Sequence, residues 1–145
     1  MENSLFSCIS SNPEETLALG ENLAGRLGPG RVIALRGALG AGKTVFAQGV
    51  ARGLGVEETV TSPTFPIISE YEGTLPFYHI DAYRLKGDAD FRNLGGEELL
   101  EGSGVVLIEW SENISRSIPK SAIIVEIRIL EDGRRGIQIS GGEGM

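Results

Sequence analysis

Val32-Ile33-Ala34-Leu35-Arg36-Gly37-Ala38-Leu39-Gly40-Ala41-Gly42-Lys43-Thr44 is the stretch that decides the fold. Its first four residues form an unbroken apolar run, the pattern of a strand buried on both faces of a parallel sheet. Its last eight fit G-x-x-x-x-G-K-[ST] at every specified position. Gly37, Gly40 and Gly42 admit backbone conformations closed to residues with a Cβ, so successive N–H groups can turn inward. Together with the positive end of the following helix dipole, those donors make an anion site. Lys43 brings an ammonium to the β- and γ-phosphates, and Thr44 offers a hydroxyl to magnesium. Ala47, Val50, Ala51 and Leu54 then recur on one stripe, and Gly55 closes the helix. Strand, glycine loop and helix in this order mark Gly37, Ala38, Leu39, Gly40, Ala41, Gly42, Lys43 and Thr44 as a nucleotide-binding segment, with ATP and magnesium as the expected cofactors.

Working outward, residues 5–9 are a short apolar run that suits a strand. Asn12 as cap, Pro13 at the first helical position and Glu15 three residues after the cap start a helix. Leu17, Gly20, Leu23, Ala24 and Leu27 carry its stripe until Gly28-Pro29-Gly30 stops it. Residues 67–70 and 77–83 read as a hairpin about Glu72-Gly73. Residues 87–100 predict one or two short helices, and Val105-Val106-Leu107-Ile108 is a second fully apolar strand. Ile123, Val125, Ile127 and Ile129 alternate before an Asp132-Gly133 turn, which predicts a terminal antiparallel hairpin with one solvated face. Most of the 21 glycines read as turn punctuation, and Ser140-Gly141-Gly142-Glu143 reads as a frayed tail. The fold class that follows is α/β of the P-loop NTPase type: a mostly parallel central sheet flanked by helices, with antiparallel hairpin additions, in a single domain spanning 1–145.

Composition bounds the function. Of 145 residues, 41% are hydrophobic and 23% charged, which suits a packed globular core. The formal charge of −7 opposes long-range attraction to RNA or DNA, so any nucleic acid is expected to be held by a partner. A single cysteine, Cys8, excludes an intramolecular disulfide and reads as a small core residue. The opening Met1-Glu2-Asn3-Ser4 has no signal-peptide character and no apolar run approaches 18 residues, so a cytoplasmic protein that does not meet the membrane is expected.

The loop names neither base nor reaction. No N-K-x-D segment is present, so ATP is preferred over GTP by elimination. A carboxylate reaching the magnesium shell should stand at the end of an apolar strand. Glu109 directly follows Val105-Val106-Leu107-Ile108, and Asp81 in His79-Ile80-Asp81-Ala82-Tyr83-Arg84 is its rival. Either suits a metal-bound water or the attacking water, and spacing does not rank those roles. Asp81, Glu109 and Lys43 are the candidate catalytic residues, with Thr44 and Glu109 the candidate metal ligands. His79 reads as a packed strand histidine, Trp110 as a residue of the site rim or a partner contact, and Arg84 as either a charge stabiliser or an ion-pair partner of Glu97 or Glu98. No adenine motif is evident; the helix start around Thr16 and the hairpin near Arg134 are the candidate positions.

With the loop, Ser62-Pro63-Thr64-Phe65, His79-Ile80-Asp81-Ala82-Tyr83-Arg84 and Ile108-Glu109-Trp110 in that order, the sequence resembles the TsaE family. The likeness runs from Asn12-Pro13-Glu14-Glu15-Thr16-Leu17 to the C-terminal hairpin. It implies a P-loop fold, Thr44 and Glu109 near magnesium, Asp81 in the catalytic region, and Ser62, Pro63, Thr64 and Phe65 as a switch-like loop. It also implies TsaD and TsaB as partners, tRNA met only through them, and ATP hydrolysis that resets the complex rather than modifying tRNA. The family often has Tyr where Phe65 stands and Pro where Ser111 stands. Two other classes share the same loop: a small kinase that phosphorylates a metabolite, and a nucleotide-dependent binding module without significant hydrolysis. A charge-assisted contact contributes roughly 1.5–3 kcal/mol, so Lys43→Ala should weaken ATP binding by a few kcal/mol in a calorimetric titration. Wild-type affinity in that variant would contradict the reading of the loop.

Overall fold

The computed structural model describes residues 4–38, 40–61 and 67–141. Strand β1 (Ser4–Ser10) leads to helix α1 (Pro13–Ala24), β2 (Val32–Gly37), α2 (Lys43–Gly53), β3 (Ile68–Tyr71) and β4 (Phe77–Asp81). A 3-10 turn at Ala82–Arg84 precedes α3 (Asp88–Asn93), α4 (Gly96–Glu101) and β5 (Val105–Glu109); a second, Ser111–Ser117, precedes β6 (Ile123–Ile129) and β7 (Arg135–Gly141). One seven-stranded sheet results, in the order β1-β7-β6-β2-β5-β4-β3.

The two continuous apolar runs take the centre. All five residues of β5 and the first four of β2 are buried, and the two strands pair in parallel. β6 pairs in parallel with β2 on one side, and β4 with β5 on the other, so the four middle strands share one direction. β3 and β7 close this core as antiparallel partners, and β1 adds to β7. The α/β class and the hairpin additions stand as the sequence predicts. The terminal hairpin differs in one respect: β6 is the parallel neighbour of β2, with Ile123, Val125 and Ile127 buried, so this hairpin is woven into the sheet rather than appended to it.

Alternation along the strands builds two cores. Ile33, Leu35, Leu107, Val125 and Ile127 meet Phe46, Ala47 and Val50 of α2 together with Leu23 and Ala24 of α1. On the opposite face Val32, Val106, Ile108 and Ile80 pack with Phe91 and Ile114.

Gly20, on the predicted stripe of α1, and Gly49 and Gly53, which sit inside α2 rather than in turns, are packing residues. A methyl at Gly20 would stand 2.4 Å from the Phe46 carbonyl oxygen, and one at Gly49 2.1 Å from that of Leu17. One at Gly53 would meet Ala24 Cβ at 2.6 Å. Such distances mean that α1 and α2 cross backbone to backbone, which only residues without a Cβ allow. The start of α1 forms as predicted: Asn12 accepts from the Glu15 N–H at 2.8 Å, while the Glu15 carboxylate accepts from the Ser11 N–H at 2.7 Å. The helix ends at Ala24, before Leu27.

Two further expectations need correction. The strand predicted to reach Tyr83 stops at Asp81, whose carboxylate accepts from the Tyr83 N–H at 3.0 Å and turns the chain into the 3-10 segment. Ser140 and Gly141 are not frayed but paired within β7, opposite Leu5 and Ser4. Gly142 and Glu143 lie outside the described residues, as do Leu39 and the whole of Ser62, Pro63, Thr64 and Phe65. Among the described residues, no helix is long and apolar enough to cross a membrane.

The helix crossing makes a test. Alanine favours a helix over glycine by about 1 kcal/mol, yet Gly49→Ala should lower stability by about 1–3 kcal/mol because the two backbones must part. Gly28, which has open space around it, should accept Ala without loss. Thermal midpoints of the two variants check this, and an unchanged or higher midpoint for Gly49→Ala would refute the crossing.

Candidate nucleotide site

The carboxyl ends of parallel strands, where connections diverge, are where α/β sheets bind ligands. Here the register sets Leu35 beside Glu109 and Glu109 beside Asp81, so β2, β5 and β4 end on one line. The glycine-rich loop leaves β2 from that line. Gly37, Gly40 and Gly42 have φ of 155°, 80° and 107°, conformations that side-chain-bearing residues seldom take. Gly37 is required on a second count: a Cβ there would stand 2.5 Å from the Ile127 carbonyl oxygen of β6.

Cations occupy the carbonyls of this loop. Lys43 Nζ donates to Gly37 O at 2.6 Å and Ala38 O at 3.0 Å, and lies 4.1 Å from the Trp110 ring centroid. Burial lowers the Lys43 pKa from its ordinary value, opposed by the charges of Glu109, Glu112 and Asp81. From β7, Arg135 Nε donates to Ala41 O at 3.0 Å and Nη2 to Gly40 O at 3.2 Å, while Nη1 donates to Gly133 O. Sequence reasoning did not single out Arg135 as a residue that reaches the loop. Arg134, the candidate adenine position, forms an exposed 2.7 Å pair with Asp132 inside the turn. Strand alternation just after the turn was the available signal, since one step along β7 moves the side chain to the other face.

Thr16 lies beside the loop with its methyl turned toward it: a Cβ added to Gly42 would be 3.9 Å from Thr16 Cγ2. Its hydroxyl is engaged elsewhere. Ser10 Oγ donates to Asn12 O at 2.8 Å, so in the 2.7 Å Ser10–Thr16 contact Thr16 is the donor.

Glu109 is the hub. Its Oε2 accepts from Thr44 Oγ1 at 3.3 Å and lies 2.5 Å from His79 Nε2. Trp110, next in the chain, has φ of 59° and ψ of 41° and is the sole non-glycine residue with positive φ among the described residues. That turn sets its indole on the rim, against Tyr83 with ring centroids 4.9 Å apart. Ser111 Oγ donates to Leu35 O at 3.1 Å, which ties the chain after Glu109 back to β2.

A cleft of about 340 Å³ opens here, with Gly40, Lys43, Thr44, Asp81, Glu109 and Trp110 among its walls. The structure thus gathers Lys43, Thr44, Asp81 and Glu109 at one place. Magnesium takes one or two protein oxygens and fills its octahedron with water and phosphate. The Thr44 hydroxyl and Glu109 carboxylate are hard oxygen donors of that kind, and among the described residues no group of three or more His, Cys, Asp or Glu could cage a metal by itself. The donor set fits magnesium delivered with a nucleotide.

The family model described as "Threonylcarbamoyl adenosine biosynthesis protein TsaE" matches residues 10–137. The chain belongs to the TsaE family. It is 41% identical over 133 residues to the tRNA threonylcarbamoyladenosine biosynthesis protein TsaE of Treponema pallidum, covering 92% of this chain and 98% of that one. With the Bacillus subtilis protein of the same name the figures are 44% over 127 residues, 87% and 79%. The crystal structure of Bacillus subtilis YdiB superposes with a TM-score of 0.85 at 37% identity, covering 97% of this chain and 88% of that chain. The segments that carry the TsaE likeness and are described here, the loop, His79 to Arg84 and Ile108 to Trp110, are those that meet at the cleft.

Asp81 supplies a pH test. Burial raises its pKa above the ordinary 3.8, with Glu109 adding to the rise and the Tyr83 N–H, His79 and Arg84 opposing it. A raised carboxyl contributes stability at low pH that is lost as pH climbs through its folded value. Asp81→Asn keeps an acceptor for the Tyr83 N–H and removes that loss. Its melting midpoint should therefore gain on wild type as pH rises from below 3.8 to neutrality. A gap that closes or reverses with rising pH would contradict the burial argument.

Proposed function

We propose that this chain is a magnesium-dependent ATPase of the cytoplasm that supports threonylcarbamoyladenosine modification of tRNA. In this reading it acts with TsaD and TsaB and does not modify tRNA itself. The observation that carries it is the 3.3 Å contact between Thr44 of the loop and Glu109 at the end of β5. It joins a hydroxyl suited to magnesium with a carboxylate suited to hold a metal-bound or attacking water. Membership of the TsaE family and the shared name of its relatives support the biological setting.

Each residue has a part in this reading. The loop amides and Lys43 bind the phosphates, Thr44 and Glu109 hold magnesium, and Asp81 faces the same cleft. Magnesium, when bound, would neutralise the phosphate oxygens as charge develops on them. The free chain should hydrolyse slowly. The Lys43 ammonium rests on the Gly37 and Ala38 carbonyls and on Trp110, and must exchange those contacts for phosphate. The net charge of −7 fits a protein that leaves tRNA to its partners.

Turnover measured with and without TsaD–TsaB tests the proposal, with stimulation by the partners as the expected result. Glu109→Ala should lower turnover by roughly 10²–10⁴-fold, the range for a positioned base. Fast hydrolysis that the partners leave unchanged, or full turnover without Glu109, would refute it. ATP binding with partner function intact but no hydrolysis would assign the chain to the binding-module class instead.

A further inference from the structure

The histidine read from sequence as a packing residue is poorly suited to packing. His79 has no solvent-exposed side-chain surface, and among the described residues its Nδ1 has no hydrogen-bond partner. A buried polar atom left unpaired costs stability that an apolar ring of similar size would not. The surroundings would accept such a ring: Phe77, two residues earlier on the same face of β4, lies 6.2 Å away centroid to centroid. What the imidazole has that phenylalanine lacks is Nε2, and Nε2 makes the 2.5 Å contact with Glu109 Oε2.

The strand register explains how they meet. His79 is paired with Leu107 and Asp81 with Glu109, so His79 and Glu109 are diagonal neighbours on one face of two parallel strands. The second donor to the same oxygen, Thr44, belongs to the phosphate loop and to the nucleotide that it holds. His79 is fixed in the sheet whether or not that loop is occupied. A carboxylate held by a donor inside the core loses rotational freedom before any ligand arrives, which is how outer partners tune metal-binding side chains.

We propose that His79 is a positioning residue: through Nε2 it fixes the Glu109 carboxylate in the orientation used toward magnesium and water. This rests on the ATPase reading above and adds to it a residue with no contact to nucleotide.

Three substitutions separate positioning from packing. The amide nitrogen of glutamine can stand where Nε2 stands, whereas that of asparagine falls near Nδ1, short of Glu109. Phenylalanine fills the space with no donor. Calorimetry with ATP, with and without magnesium, and steady-state kinetics are read for each folded variant. His79→Gln should stay close to wild type. His79→Asn and His79→Phe should lose roughly 10–100-fold of the affinity gained on adding magnesium. Their magnesium-free ATP affinity should stay unchanged, while kcat falls at saturating magnesium–ATP and the KM for ATP rises in step with the lost magnesium-dependent affinity. Should one of these two fail to fold, the other carries the test. Wild-type magnesium dependence in His79→Phe, or a loss in His79→Gln as deep as in His79→Phe, would overturn the inference and leave the ATPase reading standing. A wild-type chain whose ATP binding is indifferent to magnesium would overturn both.

Discussion

The parallel register of β2, β5 and β4 is the constraint on which the site depends. With Leu35 opposite Glu109 and Glu109 opposite Asp81, the three strands finish together. Side chains alternate along each strand, so a slip of one residue would turn Glu109 toward Phe91 and Ile114 and away from α2. The register is held by burial rather than by the site. Every residue of β5 is buried, odd positions against the helix pair and even positions against the opposite core. The chemistry at the strand ends is thus aligned by apolar contacts farther down the sheet.

The helices carry the same alignment outward. α2 begins at the loop's own Lys43, and α1 is pressed to it through Gly20, Gly49 and Gly53. Because the backbones nearly touch, α1 has little freedom to slide, and the Thr16 methyl is fixed beside Gly42. From the other side, Arg135 reaches from β7 to the Gly40 and Ala41 carbonyls. The loop is therefore gripped by a helix from one side and by the terminal hairpin from the other. Weaving β6 into the sheet beside β2 is what brings Arg135 within reach.

What the sequence disclosed follows from how local each signal is. The apolar runs of β2 and β5, the Asn12 cap and the loop pattern are written in consecutive residues and could be read directly. The end of β4 was misread because a single Asx turn at Asp81 outweighed an apolar stretch that ran on to Tyr83. Gly20 was legible on its helical stripe, whereas the packing roles of Gly49 and Gly53 show only once the facing helix is known. Arg135 and the His79–Glu109 pair depend on contacts 94 and 30 residues apart in sequence, where no periodicity points. Strand-end position singled out Glu109 and Asp81, which both line the cleft, but it is silent on the donor behind Glu109.

Trp110 shows why these non-local contacts belong to the site. A left-handed conformation at a bulky residue costs of order 1–3 kcal/mol and persists only where surrounding structure compels it. Here the compulsion comes from both flanks. Glu109 is pinned by His79 and Thr44 before the turn, and Ser111 is bonded to Leu35 after it. The chain must reverse within one residue, and doing so lays the indole over the Lys43 ammonium and against Tyr83. The cation–π contact recovers part of the cost. It also makes the resting place of Lys43 depend on the turn, because the same ammonium bonds the Gly37 and Ala38 carbonyls. The turn after β5 and the resting place of Lys43 thus share one set of contacts, which Tyr83 carries to the exposed surface.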